Sequence, residues 1–169
     1  EIKMKNFDFL KIAMSTGHKI IELYGINEKL ECTCYRGKNC TCAGKHPVKA
    51  KWQENYIKSV EELEEILRLR PNANFGIITG NGLVVIDVDS RHGGLKSLEN
   101  IKDKMPPTFK VKTGGGGYHF YYLTDDKVSN RTNVLPGIDI RGENGYVVAP
   151  GSLHKSGNRY EIEKGEQND

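Results

Sequence analysis

Three acids and one histidine sit where they could hold a divalent cation and a phosphate. In GLVVIDVDSRHGG (82–94) an apolar run, Leu83-Val84-Val85-Ile86, arrives at Asp87, skips one residue and places a second carboxylate at Asp89. Residues two apart in a strand share a face and stand roughly 7 Å apart at Cα. Two carboxylates on one face repel, and a divalent oxygen-seeking ion removes that cost. The competing reading is a turn opened by Asp89-Ser90 that caps the next helix. In GIDIRG (137–142) Asp139 lies between two isoleucines, so its side chain leaves their face and needs a partner. Arg141, two residues along on the same face, is the alternative to a metal.

Phosphate chemistry is suggested by TGGGGYHFYY (113–122). Gly114, Gly115, Gly116 and Gly117 expose backbone N–H groups and let a phosphate approach closely. No GK[ST] follows, so this is not a Walker A loop. His119 alternates with Tyr118 and Phe120. A lone strand histidine often has a purely structural role, but the glycines before it and Lys110 and Lys112 upstream favour triphosphate contact.

A softer metal site is written in CTCYRGKNCTCAGKHP (32–47), which gathers Cys32, Cys34, Cys40, Cys42 and His46. Zinc takes four such ligands tetrahedrally. Clustered cysteines in a chain without a secretory signal favour metal over disulfides, although C-x-C is tighter than the usual spacing. The alternative is a reduced loop without metal.

The elements that must position these groups follow from local signals. Asn6 predicts the cap of a helix over FDFLKIAMST, stopped by Gly17, and a strand is expected over 19–26. Ser59 and Glu62 form a capping box before an apolar-periodic helix that Pro71 ends. Strands are expected at 75–79 and 83–89, a helix at 94–104, then strands in FKVKT, YHFYYL, GIDIRG, GYVVAPG and RYEIE. Helices and strands mix without βαβ alternation, so the class is α+β. The turn PGSLHKSGNRY adds Ser152 and His154 as candidate nucleotide contacts.

The totals permit this. At 169 residues the chain suits a single domain, and 25 basic against 22 acidic residues leave only +3. Nucleic-acid binding therefore has to rest on local patches. No apolar stretch approaches the roughly 18 residues of a membrane helix, and EIKMKNFDFL lacks a signal-peptide core, which predicts a cytoplasmic protein without membrane partners.

Together these segments resemble the prim-pol domain of the archaeo-eukaryotic primase superfamily, as in the N-terminal domain of phage and plasmid bifunctional primase/polymerase replication proteins. The resemblance covers about residues 32–162. GKHPVKAKW resembles that family's GKxP…W segment, and PNANFGIITGNGLVVIDVDSRHGG its first catalytic motif. TGGGGYHFYY resembles the second and GIDIRGENGYVVAPGS the third. The resemblance implies a primase fold with an RRM-like catalytic sheet flanked by helices, and a zinc-binding insertion at about 32–46. It also implies that 1–169 is one catalytic domain at the N-terminal part of a larger replication protein.

The implied activity is template-directed nucleotidyl transfer, as DNA primase or DNA polymerase, by a two-metal mechanism in replication or repair of a mobile element. Asp87, Asp89 and Asp139 would hold Mg²⁺ or Mn²⁺. His119, glycines 114–117, Arg141 and Lys112 would bind the triphosphate. Cys32, Cys34, Cys40 and His46 would hold Zn²⁺, with Cys42 as the alternative fourth ligand. Gly115 stands where many relatives carry serine, leaving the backbone to contact phosphate. Lys45, Lys49, Lys51 and Arg91 would meet the template backbone, with Trp52 or Tyr56 for stacking. Implied partners are single-stranded DNA template, primer, nucleoside triphosphates and a helicase domain or protein. The alternative function is a non-catalytic nucleotide- or single-strand-binding zinc module. A nicking endonuclease is disfavoured because no second histidine accompanies HFY at 119–121.

Overall fold

The computed structural model describes residues 2–163, with side chains of the first helix from Asp8 onward. The chain is α+β with antiparallel sheets. It divides into two compact units that alternate along the sequence, Glu1–Ile78 with Val148–Tyr160, and Thr79–Val147 with Glu161–Asp169.

In the first unit, α1 (Ile2–Ser15) begins ahead of Asn6, so Asn6 lies inside the helix rather than capping it, contrary to the sequence expectation. Gly17 stops it at φ +92°, where the His18 N–H reaches the Ala13 carbonyl. β1 (Ile20–Leu23) is shorter than the 19–26 expected and is buried along its whole length. It pairs antiparallel with β2 (Asn74–Ile78), Ile20 opposite Ile77 and Leu23 opposite Asn74. A fully buried strand leaves Glu22 nowhere to find water. Arg70 meets it with two guanidinium bonds of 2.6 and 2.9 Å.

Arg70 follows α2 (Val60–Leu69), which buries Leu63 and Ile66. The Ser59 hydroxyl accepts the Glu62 N–H at 3.1 Å, and the Glu62 carboxylate reaches back to the Lys58 N–H at 2.8 Å. Asn74, 2% exposed, is satisfied three times over. Its amide donates to the Gly44 and Leu153 carbonyls and its carbonyl accepts the Leu153 N–H, each at 2.9 Å. One side chain thus ties the cysteine loop to residues 148–160. Ser152 and His154 are buried there: Ser152 exchanges hydrogen bonds with the Phe75 backbone, and His154 accepts the Ser156 N–H.

The second unit is built on a six-stranded antiparallel sheet. Its strands are β3 (Leu83–Val88), β4 (Lys110–Lys112), β5 (Tyr118–Leu123), β6 (Arg131–Leu135), β7 (Ile138–Arg141) and β9 (Glu161–Glu163). Their order is β6-β7-β3-β5-β4-β9, and β8 (Tyr146–Val148) carries the chain back to the first unit. β6 was not expected. All five of its residues are exposed, so RTNVL carries no burial pattern that would have announced it. α3 (Gly94–Ile101) packs on β3 and β7, and its Ser97 hydroxyl donates to the Pro136 carbonyl at 2.7 Å.

Glycine decides two close approaches at the end of β3. A Cβ on Gly117 would sit 1.9 Å from the Val88 carbonyl oxygen, and one on Gly94 would sit 2.2 Å from that of Asp89. Among the described residues, no helix is long and apolar enough to cross a membrane.

Candidate active site and metal centre

Strand register creates the first constellation. Asp87 lies directly opposite His119 of β5 on one side and Asp139 of β7 on the other. The three side chains form one row across the sheet, and Arg141, opposite Val85, stands two residues along β7 on the same face. His119 Nε2 lies 3.3 Å from one Asp87 oxygen and an Arg141 nitrogen 3.6 Å from the other. Arg141 also donates to Asp139 at 2.8 Å. The carboxylates and the guanidinium are about a quarter exposed and the imidazole is almost fully buried. A cation therefore already offsets two carboxylates that would otherwise repel across adjacent strands.

Two supports of this row had no sequence signal. The Asn133 N–H donates to the other Asp139 oxygen at 2.7 Å, from a β6 residue held at φ +52°. Beside Asp87, Tyr121 places its hydroxyl in the interior with no hydrogen-bond partner. Burial, and then the Asp87 charge, push its pKa well above the usual phenol value.

Asp89 is used differently. Its backbone is extended, and its carboxylate accepts the Arg91 N–H at 2.9 Å as the cap of the short turn Ser90–His92. Burial raises its pKa, but the Arg91 N–H and guanidinium and the nearby His92 outweigh this and hold it below the usual carboxylate value. Arg91 is thereby engaged with Asp89, its Nε 3.5 Å away.

The glycine turn is tied down from both ends. The Gly116 N–H donates to the Thr113 carbonyl, the Gly117 N–H to the Thr113 hydroxyl at 2.9 Å, and the Ser90 hydroxyl to the Gly115 carbonyl at 2.7 Å. Two of the amides expected to face a phosphate thus close the turn on itself. Lys112 pairs with Tyr118 and shares its face, opposite to that of His119.

The second constellation lies in the first unit. Ligand atoms of Cys32, Cys34, Cys40 and His46 all fall within 4.8 Å of one another. Among the described residues, this is the one group of three or more His, Cys, Asp or Glu side chains placed to hold a single metal ion. His46 Nε2 is 3.5 Å from the Cys40 sulfur and 3.7 Å from that of Cys32, against the roughly 3.6 Å edge that tetrahedral zinc bond lengths require. Burial raises the Cys32 and Cys40 thiols. It also pushes Cys34 up, but the Arg36 N–H, His46 and the other two sulfurs outweigh it and bring Cys34 to about 6. Three thiols and an imidazole converging in this way suit a dication that stabilises thiolates together. The Gly44 N–H donates to the Cys32 sulfur, and Asn74 fixes Gly44 in turn. Cys42 is exposed and outside the group.

Of the expected template contacts, the Tyr56 ring is covered by two cations, Lys58 at 3.0 Å and Lys19 at 4.8 Å from its centroid. Lys49 lies 3.9 Å from Glu62, and Trp52 lines a small cleft with Ile21, Pro47 and Ile66.

No curated protein matches the chain. The family model for the N-terminal domain of bifunctional DNA primase/polymerases matches residues 13–168, nearly the whole length. On that match, the chain belongs to the Prim-Pol family, bifunctional DNA primase/polymerase, N-terminal.

Proposed function

We propose that this chain is a single catalytic domain for template-directed nucleotidyl transfer, a DNA primase or DNA polymerase acting in replication or repair of a phage, plasmid or other mobile element. Its second unit would supply the RRM-like catalytic sheet of the primase fold. The observation that carries the reading is the row Asp139–Asp87–His119 with Arg141 beside it. A structural ion pair needs one acid and one base, whereas this row concentrates two acids and two cationic or titratable groups on one face.

Asp87, Asp89 and Asp139 would hold Mg²⁺ or Mn²⁺. When bound, these ions supply charge neutralisation for the triphosphate and for the attacking hydroxyl. Arg141 binds phosphate oxygens, being forked and permanently charged. His119 is oriented by Asp87, which keeps one ring nitrogen on the row. The glycine turn brings backbone close to the phosphates without side-chain bulk, while Lys112, on the face opposite His119, lies outside the row. Phosphoryl transfer depends mostly on positioning and charge, so no side chain needs to act as a base. Zn²⁺ on Cys32, Cys34, Cys40 and His46 would be structural, since four protein ligands leave no open position.

The test is extension or initiation on a single-stranded template with nucleoside triphosphates and Mn²⁺ or Mg²⁺. Asp87→Asn and Asp139→Asn should lower the rate by at least about a hundredfold with the thermal transition retained. Wild-type-like synthesis by either variant would refute the row as the catalytic site and favour a non-catalytic binding module.

A further inference from the structure

The most exposed large apolar or aromatic side chain in the described structure is Tyr35, at 91%. It follows Cys34 directly and stands on a turn between two members of the metal group. The Gly37 N–H donates to the Cys34 carbonyl, the Asn39 N–H to that of Arg36 and the Cys40 N–H to that of Gly37. The tip is therefore held by its own hydrogen bonds and by the ligands at both ends. Arg36 lies beside the ring, its Nε donating to the Tyr35 hydroxyl at 3.1 Å and its guanidinium 5.6 Å from the ring centre. Lys38 is exposed one residue past Gly37.

The stretch of sequence that carries this tip is rich in cations. Residues 32–53 carry Arg36, Lys38, Lys45, Lys49 and Lys51 and no acid, in a chain whose whole balance is +3. The nearest acid is Glu31, whose carboxylate approaches Gly37. A rigid aromatic ring followed by two exposed cations, one of them against the ring, matches the alternation of flat bases and phosphates in a single strand. An acidic peptide offers no π-face for the ring. A membrane surface would call for more apolar company than Thr33, Asn39 and Thr41.

We propose that residues 35–38 form a single-stranded nucleic-acid contact in which Tyr35 stacks on one base while Arg36 and Lys38 hold adjacent phosphates. This rests on the template-directed reading above and names one residue that meets the template.

The experiment is equilibrium binding of a fluorescein-labelled oligothymidylate to the full zinc-loaded chain, without nucleoside triphosphate, across a range of salt. Stacking is worth about 1–3 kcal/mol per base, so Tyr35→Ala should bind at least about fivefold more weakly, while Tyr35→Phe stays within about twofold. Arg36→Ala/Lys38→Ala should reduce the slope of log affinity against log salt by about 1.4, two phosphates at 0.7 each. Zinc content, measured for every variant, should match wild type.

Wild-type affinity in Tyr35→Ala overturns the proposal. Equal weakening of single-stranded and closed-circular duplex DNA also overturns it, because a base pair stacked between two others leaves the ring no open face. Asp87→Asn separates this idea from the catalytic one. Its loss of synthesis with Tyr35-independent binding sinks the contact alone. Tyr35-dependent binding beside an Asp87→Asn protein that still synthesises supports the contact and sinks the catalytic assignment.

Discussion

Arg141→Met tests whether the guanidinium and a divalent ion answer the same need. Arg141 lies 2.8 Å from Asp139 and 3.6 Å from Asp87, whose strands place the two acids directly opposite each other. Methionine keeps most of the stem and removes the charge. Two pairs are lost and two facing carboxylates are left without a cation. Exposed pairs are worth about 0–1 kcal/mol, whereas stranding a fully buried charge costs about 3–5 kcal/mol. These groups are about a quarter exposed, which places the loss near 2 kcal/mol. For a chain of this size that is a fall of roughly 4–8 °C in Tm. Added Mg²⁺ or Mn²⁺ should then stabilise the variant more than wild type, because the ion no longer competes with the guanidinium. At a hundred times its Kd an ion returns about 2.7 kcal/mol. The assay is thermal unfolding with and without saturating divalent ion, on protein whose zinc content is unchanged. A loss below about 0.5 kcal/mol, or a metal response identical in both proteins, would refute the argument.

Two further outcomes follow from the two sites. Removing zinc with a chelator, or replacing Cys32 by serine, should unfold the cysteine loop first and lower the first unit's stability by several kcal/mol, read as lost protection of the Gly44 and Tyr24 amides in hydrogen exchange. Tyr121→Phe removes a buried hydroxyl without a partner and should be neutral or stabilising by about 1 kcal/mol near pH 7. The Tyr121 pKa is raised in the folded state, so the native protein keeps a proton that the unfolded chain releases near pH 10. Wild type should therefore lose about 1.4 kcal/mol per pH unit above that point relative to Tyr121→Phe, and parallel denaturant-unfolding curves between pH 9 and 11 would contradict this.

Much of the site could be read from sequence because strand alternation is a period-two code. Asp87, His119, Asp139 and Arg141 could each be assigned a face from their neighbours, and register does the rest. The capping box at Ser59 was equally local. What stayed hidden depends on pairing across the sheet. Lys112 falls on the face opposite His119 only because of how β4 meets β5, and β6 has no buried face to give it away. The Thr113 hydroxyl that consumes a glycine amide stood in plain view, but its choice of partner is set by the fold of the turn. Of the two readings its sequence allowed, the turn cap is the one the Asp89 carboxylate takes here. Cys42 and His46 could not be ranked from spacing, whereas three-dimensional placement sets His46 beside the sulfurs and Cys42 outside.

The alternation of the two units along the chain has a consequence on the ribosome. Asn74 waits for a partner 79 residues downstream, and Lys110 of β4 faces Glu163 of β9. Neither unit can be completed while translation has yet to reach residues 153–163, however early their central strands emerge. The hairpin of β6 with β7 can form as it leaves the exit tunnel, but both units close only once residues 153–163 have emerged, through pairings that are distant in sequence. Chains of that kind fold in milliseconds to seconds rather than microseconds, and in that interval they present unpaired strand edges that a chaperone would shield.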